Sequence, residues 1–293
     1  MATPFRLNKC NTKRHNMKKK PPRLIINLMA SASIAALLLC GSPIYANELP
    51  TFLNGKWQVI EVHINTAASR TTQYYWNDPR LVGRLFSFAP DRISDDAPEA
   101  EECISPAAVT TFVTPKILIG KSMGEYGEHA QQATPKDYAL DIEEEKSSQV
   151  LQIYCGKELW QGTLGVGEGE RGAWIAPLKP DRILLRWYDE TLLVLIRVPS
   201  DAKPIASFDC AKPAAQTEKA ICQSYELASF DKSLSIAYRQ LIKQAKDANS
   251  DVRSIINDQK VWILKRNECA SNEKCILDSM KSRLERIASQ NQT

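Results

Sequence analysis

The spacing of apolar residues changes near residue 200, and this change constrains the fold more than any other feature of the chain. Before it, short β-branched and aromatic runs alternate with Gly, Pro, Asn and Asp, a pattern typical of antiparallel sheets. After it, apolar residues recur every three or four positions, as on one face of a helix. The sequence therefore predicts an α+β chain of two domains: an antiparallel β barrel or sandwich over residues 47–200, then a helical domain over residues 201–293.

The strongest strand signal is a hairpin near the end of the β part, where only Asp189 and Glu190 separate two strongly strand-forming runs. Both faces of the first strand carry apolar residues, which favours a sheet covered on both sides. Its start, Gly55-Lys56-Trp57, resembles the Gly-x-Trp start of lipocalin-like barrels. The predicted strands are Gly55–Ile64, Gly83–Phe88, Val109–Val113, Ile117–Ile119, Tyr138–Ile142, Val150–Cys155, Arg182–Tyr188 and Thr191–Val198.

Residues 1–46 are predicted to be a secretory signal peptide. They contain eight basic and no acidic residues, and Leu24–Cys40 is an uncharged apolar run followed by helix-breaking Gly, Ser and Pro. Cleavage is predicted after Ala46, and translation from Met17 would give a more usual signal length than translation from Met1. The sequence therefore predicts export to the periplasm, without stable membrane insertion once the signal is removed.

Two other fates of this segment stay open. Cys40 is a candidate for lipid attachment, which would anchor the protein, although Leu39 stands where a lipobox carries Gly or Ala. The apolar run could also persist as a membrane anchor, because its 17 residues approach the shortest length that spans a bilayer.

Six cysteines lie outside the predicted signal, and an even number in an exported chain predicts three disulfides. Cys103 and Cys155 are the two in the β part and are predicted to pair. In the helical part, a Cys210–Cys222 bond would pin the entry segment to the first helix, and a Cys269–Cys275 bond would clamp a helical hairpin. Crossed pairings of these four stay open. No metal or cofactor is predicted, since there is no Cys-x-x-Cys and the two remaining histidines, His63 and His129, lie far apart in sequence.

Three amphipathic helices and one shorter helix are predicted after residue 207. Thr217 is a candidate cap for the short helix, while Ser250 or Asp251 and Asn272 are candidate caps for the last two. The apolar positions of the three long helices are Leu227, Phe230, Leu234, Tyr238, Leu241 and Ala245; Ile255, Trp262 and Cys269; and Ile276, Met280, Leu284 and Ile287.

A set of linked spacings in this part resembles the LprI-type lysozyme-inhibitor domain of exported bacterial proteins, over about residues 207–288. The matching features are Phe208-Asp209-Cys210, Glu218 before Ile221-Cys222, Glu226-Leu227-Ala228 with Asp231, Tyr238, Gln259 with Trp262, Arg266 before Cys269, and Cys275. The resemblance implies an inhibitor of a peptidoglycan-degrading muramidase in the cell envelope. It implies nothing about residues 47–200.

Several polar residues within the resemblance lie beside core positions. Asp231, Gln259 and Arg266 are predicted to form a buried hydrogen-bonded network that joins helices. Trp262 and Tyr238 are predicted to pack in the core. Direct contact of these residues with a partner stays an alternative.

The charge of the chain is divided unevenly. The whole sequence carries a net charge of +4, but residues 47–200 hold 15 basic and 22 acidic residues, whereas residues 201–293 hold 15 basic and 12 acidic residues. The β part, at −7, would steer toward a cationic partner, as many lysozyme-like enzymes are. Attraction between the two domains is the other explanation. Nucleic acid is not an expected partner.

Two loops are candidate inhibitory contacts. Lys121–Gly127 resembles the Ser-Gly-x-x-Tyr loop of periplasmic lysozyme inhibitors, which enters the enzyme cleft, and Gly165–Gly172 is a predicted hairpin tip. A third candidate is Tyr74-Tyr75-Trp76, since exposed aromatic residues anchor interfaces, although core packing is the favoured interpretation. The loop residues predicted to touch the partner are Ser122, Gly124, Glu125, Tyr126, Glu168 and Glu170.

Catalysis lacks its usual residues in this sequence, so the protein is predicted not to be an enzyme. There is no Gly-x-Ser-x-Gly, Cys-His or phosphate-loop signature. Glycosidases use two carboxylates in a cleft, but the acidic runs at residues 95–102 and 143–145 are predicted to be solvated loops.

These observations predict a periplasmic protein that inhibits a lysozyme-type muramidase or another peptidoglycan hydrolase, and in a narrower version an immunity protein against a secreted cell-wall-degrading effector. The alternative is a non-enzymatic envelope or stress protein that binds peptidoglycan, a lipid or a periplasmic partner.

Overall fold

The β part of the chain forms one sheet of eleven antiparallel strands, in a computed structural model that describes residues 47–68, 71–123, 132–162 and 172–291. The strands run in the order β1-β6-β7-β9-β10-β11-β2-β3-β4-β5, and β8 pairs with β7. Their bounds are β1 Asn47–Glu48, β2 Gly55–His63, β3 Leu85–Phe88, β4 Arg92–Asp95, β5 Cys103–Ile104, β6 Pro106–Val113, β7 Ser148–Cys155, β8 Glu158–Leu159, β9 Trp174–Lys179, β10 Arg182–Trp187 and β11 Thr191–Arg197.

The sheet curls into a half-barrel because its two ends are tied together. β5 ends the strand order and β6 lies next to its start, yet only Ser105, with a positive φ of 52°, separates them in sequence. The Cys103–Cys155 disulfide joins β5 to β7 across the same gap, with a Cα–Cα distance of 5.2 Å. Closure of this loop stabilises the fold by about 4 kcal/mol in the chain-entropy model.

Apolar residues cover both faces of the curled sheet. One face holds an aromatic cluster in which the Phe86 and Trp187 rings lie 5.1 Å apart and the Trp160 and Trp187 rings 5.9 Å apart, all edge to face. On the other face, Ile119 and Met123 pack with Trp174. The two-sided covering agrees with the apolar residues on both faces of β2.

The described residues from Gln216 onward are mainly helical, which confirms the predicted fold class. The bounds are α1 Pro115–Ser122, within the β part, and α2 Gln216–Gln223, α3 Tyr225–Asp247, α4 Arg253–Asn267 and α5 Glu273–Asn291. Cys210–Cys222 and Cys269–Cys275 are bonded, the uncrossed pairing. The β region and this helical region belong to one compact unit. Among the described residues, no helix combines the length and apolarity required to cross a membrane.

Two of the predicted strands are wrong. Ile117–Ile119 lies in α1, because Pro115 occupies the first helical turn and Thr114 Oγ1 caps it by accepting a hydrogen bond from Ile117 N (3.3 Å). The predicted strand Tyr138–Ile142 is also absent from the sheet, because Tyr138 ends a short 3-10 helix, Pro135–Tyr138, that begins with a Thr134–Asp137 capping box. Local capping overrides strand propensity in both segments.

The predicted hairpin is confirmed, with a loop one residue longer than expected. Trp187 pairs with Thr191, so the loop is Tyr188–Glu190, and Asp189 and Glu190 both adopt positive φ values. Thr217 lies inside α2 rather than capping it. The residue before α4 is Val252, which has no capping side chain, but the candidate Asp251 accepts a hydrogen bond through Oδ1 from the first backbone N–H of α4, that of Arg253 (2.9 Å). Asn272 caps α5 as predicted: its Oδ1 accepts a hydrogen bond from Cys275 N at 3.0 Å.

Candidate functional site on the helical region

The helical region has its own apolar core between α2, α3 and α5. Leu227, Phe230 and Leu234, on one face of α3, pack against Ile276 and Met280 of α5. The two disulfides hold the ends of this core, over sequence separations of 12 and 6 residues. Their chain-entropy contributions are about 3 and about 2 kcal/mol.

The predicted polar network divides into two parts, and the first joins α3 to α4. Arg266 Nη1 lies 3.7 Å from Asp231 Oδ1, and both side chains are buried. Asp231 Oδ2 also accepts a hydrogen bond from the backbone N–H of Ser207 (2.6 Å), which ties down the chain that enters the helical region. Burial lowers the pKa of Arg266, while the charge of Asp231 opposes that shift. The pair therefore links α3 to α4 inside the protein.

The second part joins α4 to α5 around Arg283. Gln259 Oε1 accepts hydrogen bonds from Arg283 Nε (3.1 Å) and Nη2 (2.9 Å), and Asp258 Oδ2 accepts one from Nη1 at 2.5 Å. The Trp262 ring lies between the two parts, 5.3 Å from the guanidinium carbon of Arg266 and 5.9 Å from that of Arg283. Its indole N–H donates to Ser279 Oγ at 3.2 Å. Trp262 therefore packs within the helical region as a partly buried residue.

Beside this cluster, α4 and α5 border an open groove of about 660 Å³, whose wall includes Trp262, the Cys269–Cys275 disulfide and Lys265. α4 also presents apolar side chains to solvent: Ile256 is 36 % exposed, Val261 55 % and Leu264 70 %. We call Ile256, Val261, Leu264 and Lys265 the α4 outer face. Exposed apolar residues grouped beside a groove are typical of interaction sites.

The α3 face of the helical region is used differently, since it packs against the β2–β3 connection. Ser229 Oγ donates a hydrogen bond to the carbonyl of Gly83, and Ser233 Oγ donates one to the carbonyl of Val82 (2.8 Å). Gln58 Nε2 donates to Ser229 Oγ (3.1 Å), and Arg84 Nη2 donates to Ser233 Oγ (3.0 Å). We call this contact, formed by Gln58, Val82, Gly83, Arg84, Ser229 and Ser233, the junction.

Several charged groups in the junction and beside it are poorly hydrated. The fully buried Arg84 guanidinium lies 3.2 Å from the ring centroid of Phe230, and burial lowers the pKa of Arg84 to about 10. Burial raises the pKa of Asp95 to about 7, and it also raises the pKa values of Asp96 and Glu226. Oδ2 of each aspartate is buried without a hydrogen-bond partner among the described residues. Charge burial here opposes folding at neutral pH.

The first acidic run is solvated only in part: Glu101 and Glu102 are exposed as predicted, whereas Asp95 and Asp96 are largely withdrawn from water, contrary to the prediction. Besides the two aspartates, Glu99 accepts hydrogen bonds from the Tyr74 hydroxyl and from Trp187 Nε1 (3.2 Å). The second run is solvated as predicted: Glu143 and Glu145 are exposed and form surface ion pairs. Sequence cannot distinguish the two runs, because burial of the first depends on where α3 and α5 pack.

Of the loop residues predicted to touch a partner, Ser122 lies among the described residues. It is the last residue of α1, its hydroxyl donates to the carbonyl of Leu118 (2.7 Å), and it accepts a hydrogen bond from Trp174 Nε1 (3.0 Å). A partner contact through this hydroxyl would compete with both bonds. Outside the described residues lie Gly124, Glu125, Tyr126, Glu168 and Glu170.

The aromatic run at residues 74–76 is buried at one end and exposed at the other. Tyr74 is buried, and Trp76 is 38 % exposed with its ring edge-on to His63 at 4.4 Å. His63 is itself buried, with Nδ1 2.8 Å from the carbonyl oxygen of Tyr138 and Nε2 3.0 Å from Glu61. These contacts favour the core interpretation of this run.

Sequence reasoning missed the α4 outer face. It followed the seven-residue spacing of Ile255, Trp262 and Cys269, which does mark the side of α4 packed on the helical core. Val261 and Leu264 fall outside that stripe. The sequence signal for this face is the presence of apolar residues on α4 outside the stripe that packs on the core.

The helical region is similar in sequence to proteins of one described family. Residues 210–289 match the family model described as "Lysozyme inhibitor LprI", which confirms the resemblance of this third of the chain. Proteins named "Lipoprotein LprI" from Mycobacterium bovis and from two strains of Mycobacterium tuberculosis are 27 % identical over 116 residues, 36 % of this chain. The chain spans 56 % of the length of these relatives. No solved structure matches.

Proposed function

We propose that the protein is exported to the periplasm and inhibits a lysozyme-type muramidase by binding it. The observation that carries the proposal is the match of residues 210–289 to a lysozyme-inhibitor family. It is supported by three features of the same segment: a stabilised helical core, an open groove and an apolar outer face on α4.

The signal-like N-terminus and the three disulfides support the location, since disulfides persist in oxidising compartments. A cell-wall hydrolase that enters the periplasm would meet the protein there. In a narrower form of the proposal, the target is an effector secreted by a competing bacterium, and the protein confers immunity on the cell that makes it.

The test is to titrate the purified exported protein into a C-type lysozyme, a goose-type lysozyme and a phage-type muramidase, and to follow clearing of a peptidoglycan suspension. We expect stoichiometric loss of activity for at least one enzyme, with a matching 1:1 binding isotherm. Full activity of all three enzymes at a large excess of the protein would contradict the proposal. Protection of a producing strain against a periplasmic muramidase would test the immunity version.

A further inference from the structure

The α4 outer face combines exposed apolar side chains with an exposed cation. Val261 and Leu264, three residues apart, lie on the same side of the helix. Lys265 follows Leu264 and lines the groove between α4 and α5. Among the described residues, no carboxylate lies within 4.0 Å of its amine, whereas nearby Lys274 pairs with Asp278 at 2.6 Å.

The packing of α4 leaves this face open. Within the helical region, α4 packs mainly on α2 and α5 and reaches α3 through the Arg266–Asp231 pair, and Arg266 is the one buried residue of α4 among those described. The junction, by contrast, is formed by α3. A partner could therefore approach the α4 outer face without disturbing the contact between the helical and β regions.

A muramidase cleft has complementary chemistry. Hydrolysis of a glycosidic bond uses two carboxylates about 5 to 10 Å apart, in a cleft open enough to admit a glycan chain. An ammonium placed between two carboxylates forms charge-assisted hydrogen bonds. Apolar side chains beside the ammonium exclude water, which strengthens those bonds.

The following inference rests on the proposed function. We propose that the α4 outer face docks in the substrate cleft of the muramidase and places the Lys265 ammonium between the two catalytic carboxylates. Leu264 and Val261 pack on the walls of the cleft, where the faces of sugar rings would otherwise lie. The complex blocks the site without offering a bond to cleave. A standard interface buries about 800 Å² per partner, and the surrounding groove supplies the contact area that these three side chains do not.

The experiment measures binding of the full-length exported protein to a C-type lysozyme by titration calorimetry, provided that the wild-type protein inhibits that enzyme. If it inhibits another enzyme of the panel, that enzyme replaces it. Lys265→Ala is expected to weaken binding about 10- to 100-fold, and Lys265→Glu and Leu264→Asp more strongly, because central interface contacts dominate affinity. Lys232→Ala, an exposed lysine of α3, is the matched control and is expected to leave affinity unchanged. Unchanged melting temperatures would show that the variants are folded.

A double-mutant cycle tests the contact itself. When the catalytic acid of the lysozyme is replaced by its amide, wild-type affinity should fall, whereas the Lys265→Ala variant should lose little more. If the wild-type protein inhibits the enzyme and all α4 variants inhibit it equally well, the docking proposal is overturned and the proposed function stands. A change in oligomeric state of Leu264→Asp without any loss of lysozyme affinity would also overturn it, because the face would then contact a second copy. Absence of wild-type inhibition of every enzyme tested would overturn both proposals.

Discussion

The helical region has two faces that are built in opposite ways. At the junction, serine side chains of α3 hydrogen-bond backbone carbonyls of the β region, and Arg84 is fully buried against Phe230. On the α4 outer face, apolar side chains and a lysine are exposed to solvent. We therefore expect changes at the first face to lower stability, and changes at the second face to leave stability nearly unchanged.

This difference separates residues with internal contacts from residues exposed to solvent within the segment that matches the family model. Asp231, Gln259, Trp262 and Arg266 carry much of the resemblance to the LprI family, yet they form internal contacts. The side chains available to a target lie between them in sequence, on the other side of α4. Residues that carry the family resemblance therefore need not be those that are exposed to a partner.

The largest effect is expected from Gly83→Ala at the junction. Gly83 has a φ of +90°, and a Cβ there would lie 2.8 Å from Ser229 Oγ and 3.0 Å from Ser233 Oγ. Backbone strain and overpacking together should lower the free energy of unfolding by about 3 kcal/mol, measured by urea denaturation. Gly156→Ala is the control, because Gly156 also has a positive φ (+65°) but has open space around it. Equal losses for the two variants would contradict the close packing of the junction.

A smaller effect is expected from removing the Cys269–Cys275 disulfide, which links α4 to α5 beside the groove. Replacing both cysteines by alanine should cost about 2 kcal/mol. Hydrogen exchange should accelerate mainly at the end of α4 and the start of α5, while the amides of α3 at the junction stay protected. Equal acceleration in α3 would show that the two faces unfold together.

Neutralising Asp95 should stabilise the protein at high pH. Burial raises the pKa of Asp95 to about 7 in the folded protein, from 3.8 in the unfolded chain. The stability linked to this carboxyl is therefore fully present below pH 3.8 and is lost as the pH rises through 7. After allowance for partial exposure, Asp95→Asn should gain about 1 kcal/mol over the wild type at pH 8 and much less at pH 5. Thermal melts at the two pH values measure this difference. A gain of the same size at both would exclude charge burial as its cause, and Glu143→Gln, on the surface, is the matched control.

The sequence predicted what local patterns determine. The hairpin around Asp189 and the helical spacing of α3 and α5 follow from neighbouring residues. The Cys103–Cys155 bond follows from their being the two cysteines of the β part, whereas the pairing of the four helical cysteines was left open. The helix at Ile117–Ile119 was missed because two capping residues outweigh strand-forming side chains. Burial of Asp95 and the close approach at Gly83 depend on packing between elements more than 100 residues apart, which no local pattern specifies.

The smallest effect on stability is expected from changes on the α4 outer face, where the proposed effect on binding is large. Val261→Ala and Leu264→Ala together remove mostly exposed apolar surface, so the free energy of unfolding should change by less than about 0.5 kcal/mol. Leu234→Ala, which creates a cavity in the buried core of α3, should cost about 3 kcal/mol and serves as the contrast. Urea denaturation of the three proteins measures both values. A loss above 1 kcal/mol for the α4 variant would mean that this face is covered in the folded protein, and the distinction between the two faces would no longer hold.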